Sequence, residues 1–156
     1  VVVSSEFREA ISHRHPVAFS TDLVSTLDRE EGGETPFTPP VQTIYALREA
    51  SAELLEEGVS SRIAHYQEIA KSLRDGLASL ELSFLVPREY LSNTMTTVTM
   101  PEGISYEDLH RPLKQQGYVI YKSQGHLSES TFRLGTVGVL SQDDISGFLG
   151  ALGQLL

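Results

Sequence analysis

Arg133 is the residue whose type and place point most directly to chemistry. It lies in Thr131-Phe132-Arg133-Leu134-Gly135, a run that reads as a strand. A guanidinium inside a strand is costly to bury unless it meets an anion, and its planar fork suits a carboxylate held at two points. The alternatives are an edge-strand arginine that reaches solvent, or a salt bridge to one of the 21 acidic residues. Gly135 and Gly138, on either side of Thr136-Val137, mark a backbone that turns tightly or lets something approach. Thr38 stands between Phe37 and Pro39-Pro40, ahead of a helix start. A hydroxyl and free N–H groups at such a place bind a phosphate or cap the helix.

The other polar residues are less informative. His13, His15, His65, His110 and His126 show no metal-ligand spacing, and metal sites are not expected. His13 and His15 flank Arg14 in a polar loop, a weak anion-binding pattern. There is no glycine-rich dinucleotide motif, no phosphate-binding P-loop and no zinc signature. Cysteine is absent, which removes disulfides, thiolate metal sites and a cysteine nucleophile, and which fits a reducing cytoplasm. A net charge of −9 and a pI near 4.9 repel a phosphate backbone, so nucleic acid is not an expected partner. No apolar run approaches the roughly 20 residues that cross a bilayer. Val1-Val2-Val3 lacks the basic region of a signal peptide and reads as a strand.

These residues are positioned by a regular series of elements. Ser4 or Ser5 caps a short helix through Phe7 and Ile11, and Asp22–Glu31 forms a second. Gly32-Gly33 breaks the chain, and the prolines of Thr35–Pro40 force an extended segment. A helix then starts at Pro40-Val41 and stops at Gly58, with Val41, Ile44, Leu47, Leu54 and Leu55 on its apolar side. The next helix, from Ser60, buries Ile63, Tyr66, Ile69, Leu73 and Leu77 and turns Arg62, Gln67, Glu68, Lys71 and Arg74 outward. Strands are expected at Leu82–Val86, Thr94–Met100, Val119–Tyr121 and Thr131–Leu134. Ser105 with Asp108, and Ser141 with Asp144, open two more helices, and Gly117 closes the first of these. The order from Glu81 is strand, strand, helix, strand, strand, helix. That is an α+β fold, a short-stranded sheet with helices packed on one face.

The segment Thr35-Pro36-Phe37-Thr38-Pro39-Pro40-Val41-Gln42-Thr43-Ile44-Tyr45-Ala46-Leu47 resembles class V aminotransferases of fold type I. The likeness is greatest to 2-aminoethylphosphonate–pyruvate transaminases, with alanine–glyoxylate and serine–pyruvate transaminases more distant. Tyr118–Tyr121, a loop, and Thr131–Gly138 are similar to a second family segment, whose strand reads TFRIGNIG. The resemblance runs over nearly the whole chain. It implies that 41–156 is the small C-terminal domain, and that 1–40 is a remnant of the large pyridoxal-phosphate-binding domain with the interdomain segment.

The resemblance also implies pyridoxal 5'-phosphate as cofactor, a homodimer, and transfer of an amino group from a small amine or amino acid to pyruvate or glyoxylate. Arg133 matches the arginine that binds the substrate carboxylate. Thr38 matches the threonine that reaches the cofactor phosphate of the other subunit, and Thr35 stands where some relatives place a tyrosine. The Schiff-base lysine has no counterpart among Lys71, Lys114 and Lys122, so the chain alone is not expected to catalyse. Two departures concern the donor. Tyr121–His126 replaces a Tyr-Pro-Gly-Lys segment, and Thr136 replaces an asparagine. The rival reading is a stand-alone α+β amino-acid-binding or dimerisation module. The anchor reading requires an Arg133 guanidinium that faces a concavity and is free of any acid of this chain, whereas the dimerisation reading requires it to be paired.

Overall fold

The computed structural model describes residues 3–156. Of the strand expected at the start, Val1 and Val2 lie outside the described residues, and Val3 is in no strand. The chain divides into two compact units between Ala52 and Glu53, within α3 (Val41–Glu57).

The first unit is built from short capped helices. α1 (Ser5–Ile11) starts where the Ser4 hydroxyl accepts from the Phe7 N–H at 3.2 Å. α2 (Leu23–Glu31) starts where the Asp22 carboxylate accepts from the Ser25 N–H at 3.0 Å. Each side chain satisfies an amide that the first helical turn leaves without a partner. Arg8 ties the two helices by donating to Asp28 at 2.8 Å and to Glu31, whose carboxyl is held below its usual range by that hydrogen bond and charge. Phe19 meets Phe37 edge to face, with ring centroids 5.5 Å apart. No described residue of this unit is buried. The apolar side of α3 is therefore not a core face: Val41, Ile44 and Leu47 are all exposed.

The second unit holds the core. α4 (Val59–Ser79) contributes Ile69, Leu73 and Leu77, α5 (Tyr106–Gln115) Leu109 and Leu113, and α6 (Gln142–Gly153) Ile145, Phe148 and Leu152. A Cβ at Gly76 of α4 would overlap the Leu149 side chain of α6, so the glycine sets how closely these two helices pack. The sheet runs β1 (Met95–Thr99), β3 (Thr131–Gly135), β2 (Tyr121–Lys122), antiparallel throughout. Alternation along the strands turns Thr96, Val98, Phe132 and Leu134 inward, where all four are buried. Their partners on the other face are more open, with Met95 and Tyr121 exposed. The α+β sheet with helices on one face is thus as expected. Gly58 and Gly117 adopt φ of 89° and 91°, left-handed values that favour glycine where a helix must end or restart.

Four local expectations fail for physical reasons. Leu82–Val86 is an isolated bridge, Phe84 to Val98, and not a strand. Its inward alternation survives, but Pro87 and a 3-10 turn at Arg88–Tyr90 carry the chain off before a ladder forms. β2 begins later than expected because the Ile120 carbonyl accepts from the Tyr106 hydroxyl at 2.9 Å and the Tyr118 N–H turns back to Leu113. Ile63 is half exposed, at 50%. Arg74, read as an outward polar residue, is buried.

Candidate functional site

Arg133 occupies the middle of the central strand, so neighbours flank it on both sides. Its register partners are Thr97 on β1 and Tyr121 on β2. Because Phe132 and Leu134 face the core, Arg133 shares the opposite face with Thr97 and Tyr121. Its Nη2 donates to the Lys122 carbonyl at 3.0 Å. Its Nε is buried and has no hydrogen-bond partner among the described residues. None of the ion pairs among the described residues includes Arg133. Lys122, one residue along β2, is occupied by Glu129 at 2.7 Å, and that contact holds the Glu129 carboxyl below its usual range.

A buried guanidinium N–H without an acceptor costs about 1–3 kcal/mol or more. Arg133 is therefore a donor that gains from an anion. It does not line the cavities edged by Leu134 and Phe148, by Arg62 and His65, or by Leu82 and Met100.

The glycines beside Arg133 behave differently from each other. Gly135 has nothing within 4 Å of where a Cβ would stand, which leaves space next to the arginine on the same strand. Gly138 has φ of 110°, so there the glycine serves a turn. Thr136, between them, is buried; its hydroxyl donates to the Asn93 carbonyl at 2.9 Å and its N–H to Thr94 at 3.0 Å. It acts as a tie to the chain entering β1.

Thr35 and Thr38 line one cavity of about 650 Å³ in the first unit, together with Asp22, Glu30, Phe37 and Ile44. No basic side chain lines it. Among the described residues the Thr38 side chain makes no hydrogen bond, so Thr38 does not cap α3; the Pro40 carbonyl accepts the first bond of that helix, from Ile44 at 3.0 Å. Arg14 and Arg29 line a second cavity, but Asp22, Asp28 and Glu34 are also on its wall, and three carboxylates against two guanidinium groups disfavour an anion. The three lysines are all on the surface, Lys71 paired with Asp75 and Lys122 with Glu129, each at 2.7 Å. No cluster of metal-ligating side chains occurs among the described residues.

The chain is similar to several aminotransferases. A 2-aminoethylphosphonate–pyruvate transaminase of Salmonella paratyphi C is 34% identical over 157 residues, 97% of this chain and 42% of that protein. An uncharacterized aminotransferase of Methanocaldococcus jannaschii is 30% identical over 97% of the chain and 40% of its own length. The crystal structure of an alanine–glyoxylate aminotransferase from Nostoc sp. superposes with a TM-score of 0.87 at 26% identity, over 99% of this chain and 42% of that one. The chain is homologous to the C-terminal part of class V, fold-type I aminotransferases. It spans about two fifths of the length of the curated relatives that it matches. No protein-family model matches the sequence.

The aminotransferase homology did not need Arg74 to be noticed, and the sequence reading missed it. A signal was present. Arg74 adjoins Leu73 and lies four residues after Ala70 and three before Leu77, on the flank of the buried stripe, while Thr96 puts a hydroxyl on the inward side of β1.

Proposed function

We propose that this chain is the small-domain portion of a pyridoxal-phosphate-dependent aminotransferase that passes an amino group from a small amine or amino acid to pyruvate or glyoxylate. The observation that carries the reading is Arg133, a sheet-face guanidinium with no acid partner and a buried Nε without an acceptor. A two-point contact from that fork holds a carboxylate in one orientation, which converts binding energy into placement of the reacting carbon. The likeness to 2-aminoethylphosphonate–pyruvate transaminases supports an amine donor of that kind.

The cofactor supplies the electron sink when bound. The chain's own residues fit only a small part of its binding. Thr38, with Thr35 beside it, offers a free hydroxyl for a phosphate, and the acidic wall of the cavity means that positive charge has to come from elsewhere. No lysine is placed to hold the cofactor. In this reading residues 1–40 belong to the large domain and interdomain segment and 41–156 to the small domain. The enzyme works as a homodimer in the cytoplasm, with Thr38 directed at the partner's cofactor phosphate. The net charge of −9 supports the absence of nucleic-acid partners, and no helix among the described residues is long and apolar enough to cross a membrane. A dimerisation piece without ligand is disfavoured, since it needs Arg133 neutralised within the chain.

Two measurements test this. A full-length protein carrying the chain is expected to transfer an amino group to pyruvate or glyoxylate only when loaded with pyridoxal phosphate; activity without it would overturn the reading. The chain alone, mixed with the cofactor, is expected to show only the visible spectrum of free pyridoxal phosphate. A stable lysine-bound band that disappears on replacing one of Lys71, Lys114 or Lys122 would contradict the assignment.

A further inference from the structure

Arg74 buries a guanidinium in the second unit without a carboxylate to meet it. Its side chain is nearly enclosed, at 8% exposure for the residue, and none of the ion pairs among the described residues includes it. The nearby acid, Asp75, is taken instead by Lys71 at 2.7 Å and Arg88 at 2.8 Å. Burial, with the charge of Arg88 close by, lowers the Arg74 pKa from the usual arginine range. Burying such a charge carries a desolvation penalty, and an apolar side chain of similar size is often neutral or better for stability. A stabilising role alone does not account for it.

What Arg74 does make is a pair of bonds to one short segment. Its Nε donates to the Thr96 hydroxyl at 3.1 Å, and its Nη2 donates to the Ser92 carbonyl. Arg88 fastens the helix end of this arrangement by donating to the Arg74 carbonyl at 2.8 Å. From the other side the same segment is held by Thr136, through Asn93 and Thr94. Ser92–Thr96 is thus gripped between a helix and the continuation of β3. The next residue, Thr97, is the register partner of Arg133.

We propose that Arg74 is a positioning residue for the carboxylate anchor: from α4 it fixes the entry of β1, and the β1–β3 pairing passes that placement to Arg133. The inference rests on the reading of Arg133 as the anchor. It predicts that Arg74 influences where Arg133 presents its fork, not whether the domain folds.

The test is an amide and arginine Nε spectrum of the 156-residue chain, labelled with nitrogen-15, with Arg74→Met and Thr96→Val as variants. In folded Arg74→Met, the Arg133 Nε–H and Thr97 N–H signals are expected to shift more than the amides of Leu109 and Leu152. Thr96→Val, which removes only the Nε acceptor, gives a smaller shift of the Arg133 Nε–H signal, and that signal decides the matter by itself if Arg74→Met does not fold. Unmoved Arg133 and Thr97 signals in a folded variant overturn the proposal. In a full-length enzyme carrying the chain, Arg74→Met is expected to raise the KM for the oxo acid roughly tenfold at nearly constant kcat. A purely structural lesion lowers the amount of active enzyme and hence kcat, and that pattern also overturns it. Arg133→Lys without effect on the oxo acid sinks the anchor reading itself, whatever the spectra of the Arg74 variant show.

Discussion

Replacing Phe132 with alanine is expected to lower the stability of the second unit by about 3–5 kcal/mol. Phe132 is the largest fully buried side chain, with 0% exposure, and it lies on the inward face of the central strand among residues of the common core. Truncation removes its burial and leaves a cavity that a strand paired on both sides has little freedom to fill. Domains of this size have about 5–15 kcal/mol in all, so the variant is expected to sit near the edge of folding. Chemical denaturation of the chain beside an Ile63→Ala control measures this. Ile63 is 50% exposed, and its replacement is expected to change stability by no more than about 0.5 kcal/mol. Equal losses from the two substitutions would mean that the core does not centre on the sheet.

The features that were legible in the sequence are those governed by local chemistry. The Ser105/Asp108 and Ser141/Asp144 boxes both form, and Ser4 caps its helix, because a cap depends on residues three apart. Gly58 and Gly117 end helices with left-handed backbone for the same reason. The misplaced elements depend on distant partners. Nothing near Ile120 announces that the Tyr106 hydroxyl will take its carbonyl and delay β2. Pro87 next to Leu82–Val86 marks where that segment ends, but not that only one bridge to β1 will form before it.

The site divides along the same line. Arg133 was legible because an arginine within a β-branched and aromatic run is conspicuous. Its freedom from acids was not, since pairing depends on which of 21 carboxylates the fold brings near. Arg74 was lost because helical periodicity assigns a charged residue on the edge of a stripe to solvent, whereas Thr96 of β1 and Ser92 ahead of it receive it some twenty residues away. The bland reading of Thr38 as a helix cap fails for a simple reason: the helix starts at Val41, too far along for its hydroxyl to serve the first turn.

In a full-length enzyme carrying this chain, Arg133→Lys is expected to raise the KM for the oxo acid and to lower kcat/KM by roughly 10- to 100-fold, the worth of one charged hydrogen bond of about 1.5–3 kcal/mol. Within the chain the arginine gives up little, because its single bond is to the Lys122 carbonyl and no acid depends on it. Fold and cofactor content are therefore expected to stay as they were, and the whole effect falls on the substrate. Lysine keeps the positive charge but loses the planar pair of donors, so a carboxylate is still attracted while no longer held in one orientation. The size of the loss thus separates attraction from placement. A small loss, with kcat/KM of both forms falling alike as salt rises, would assign Arg133 a steering role by charge alone. An unchanged kcat/KM for both pyruvate and glyoxylate would place the carboxylate elsewhere, and the free fork on the sheet face would need another anion.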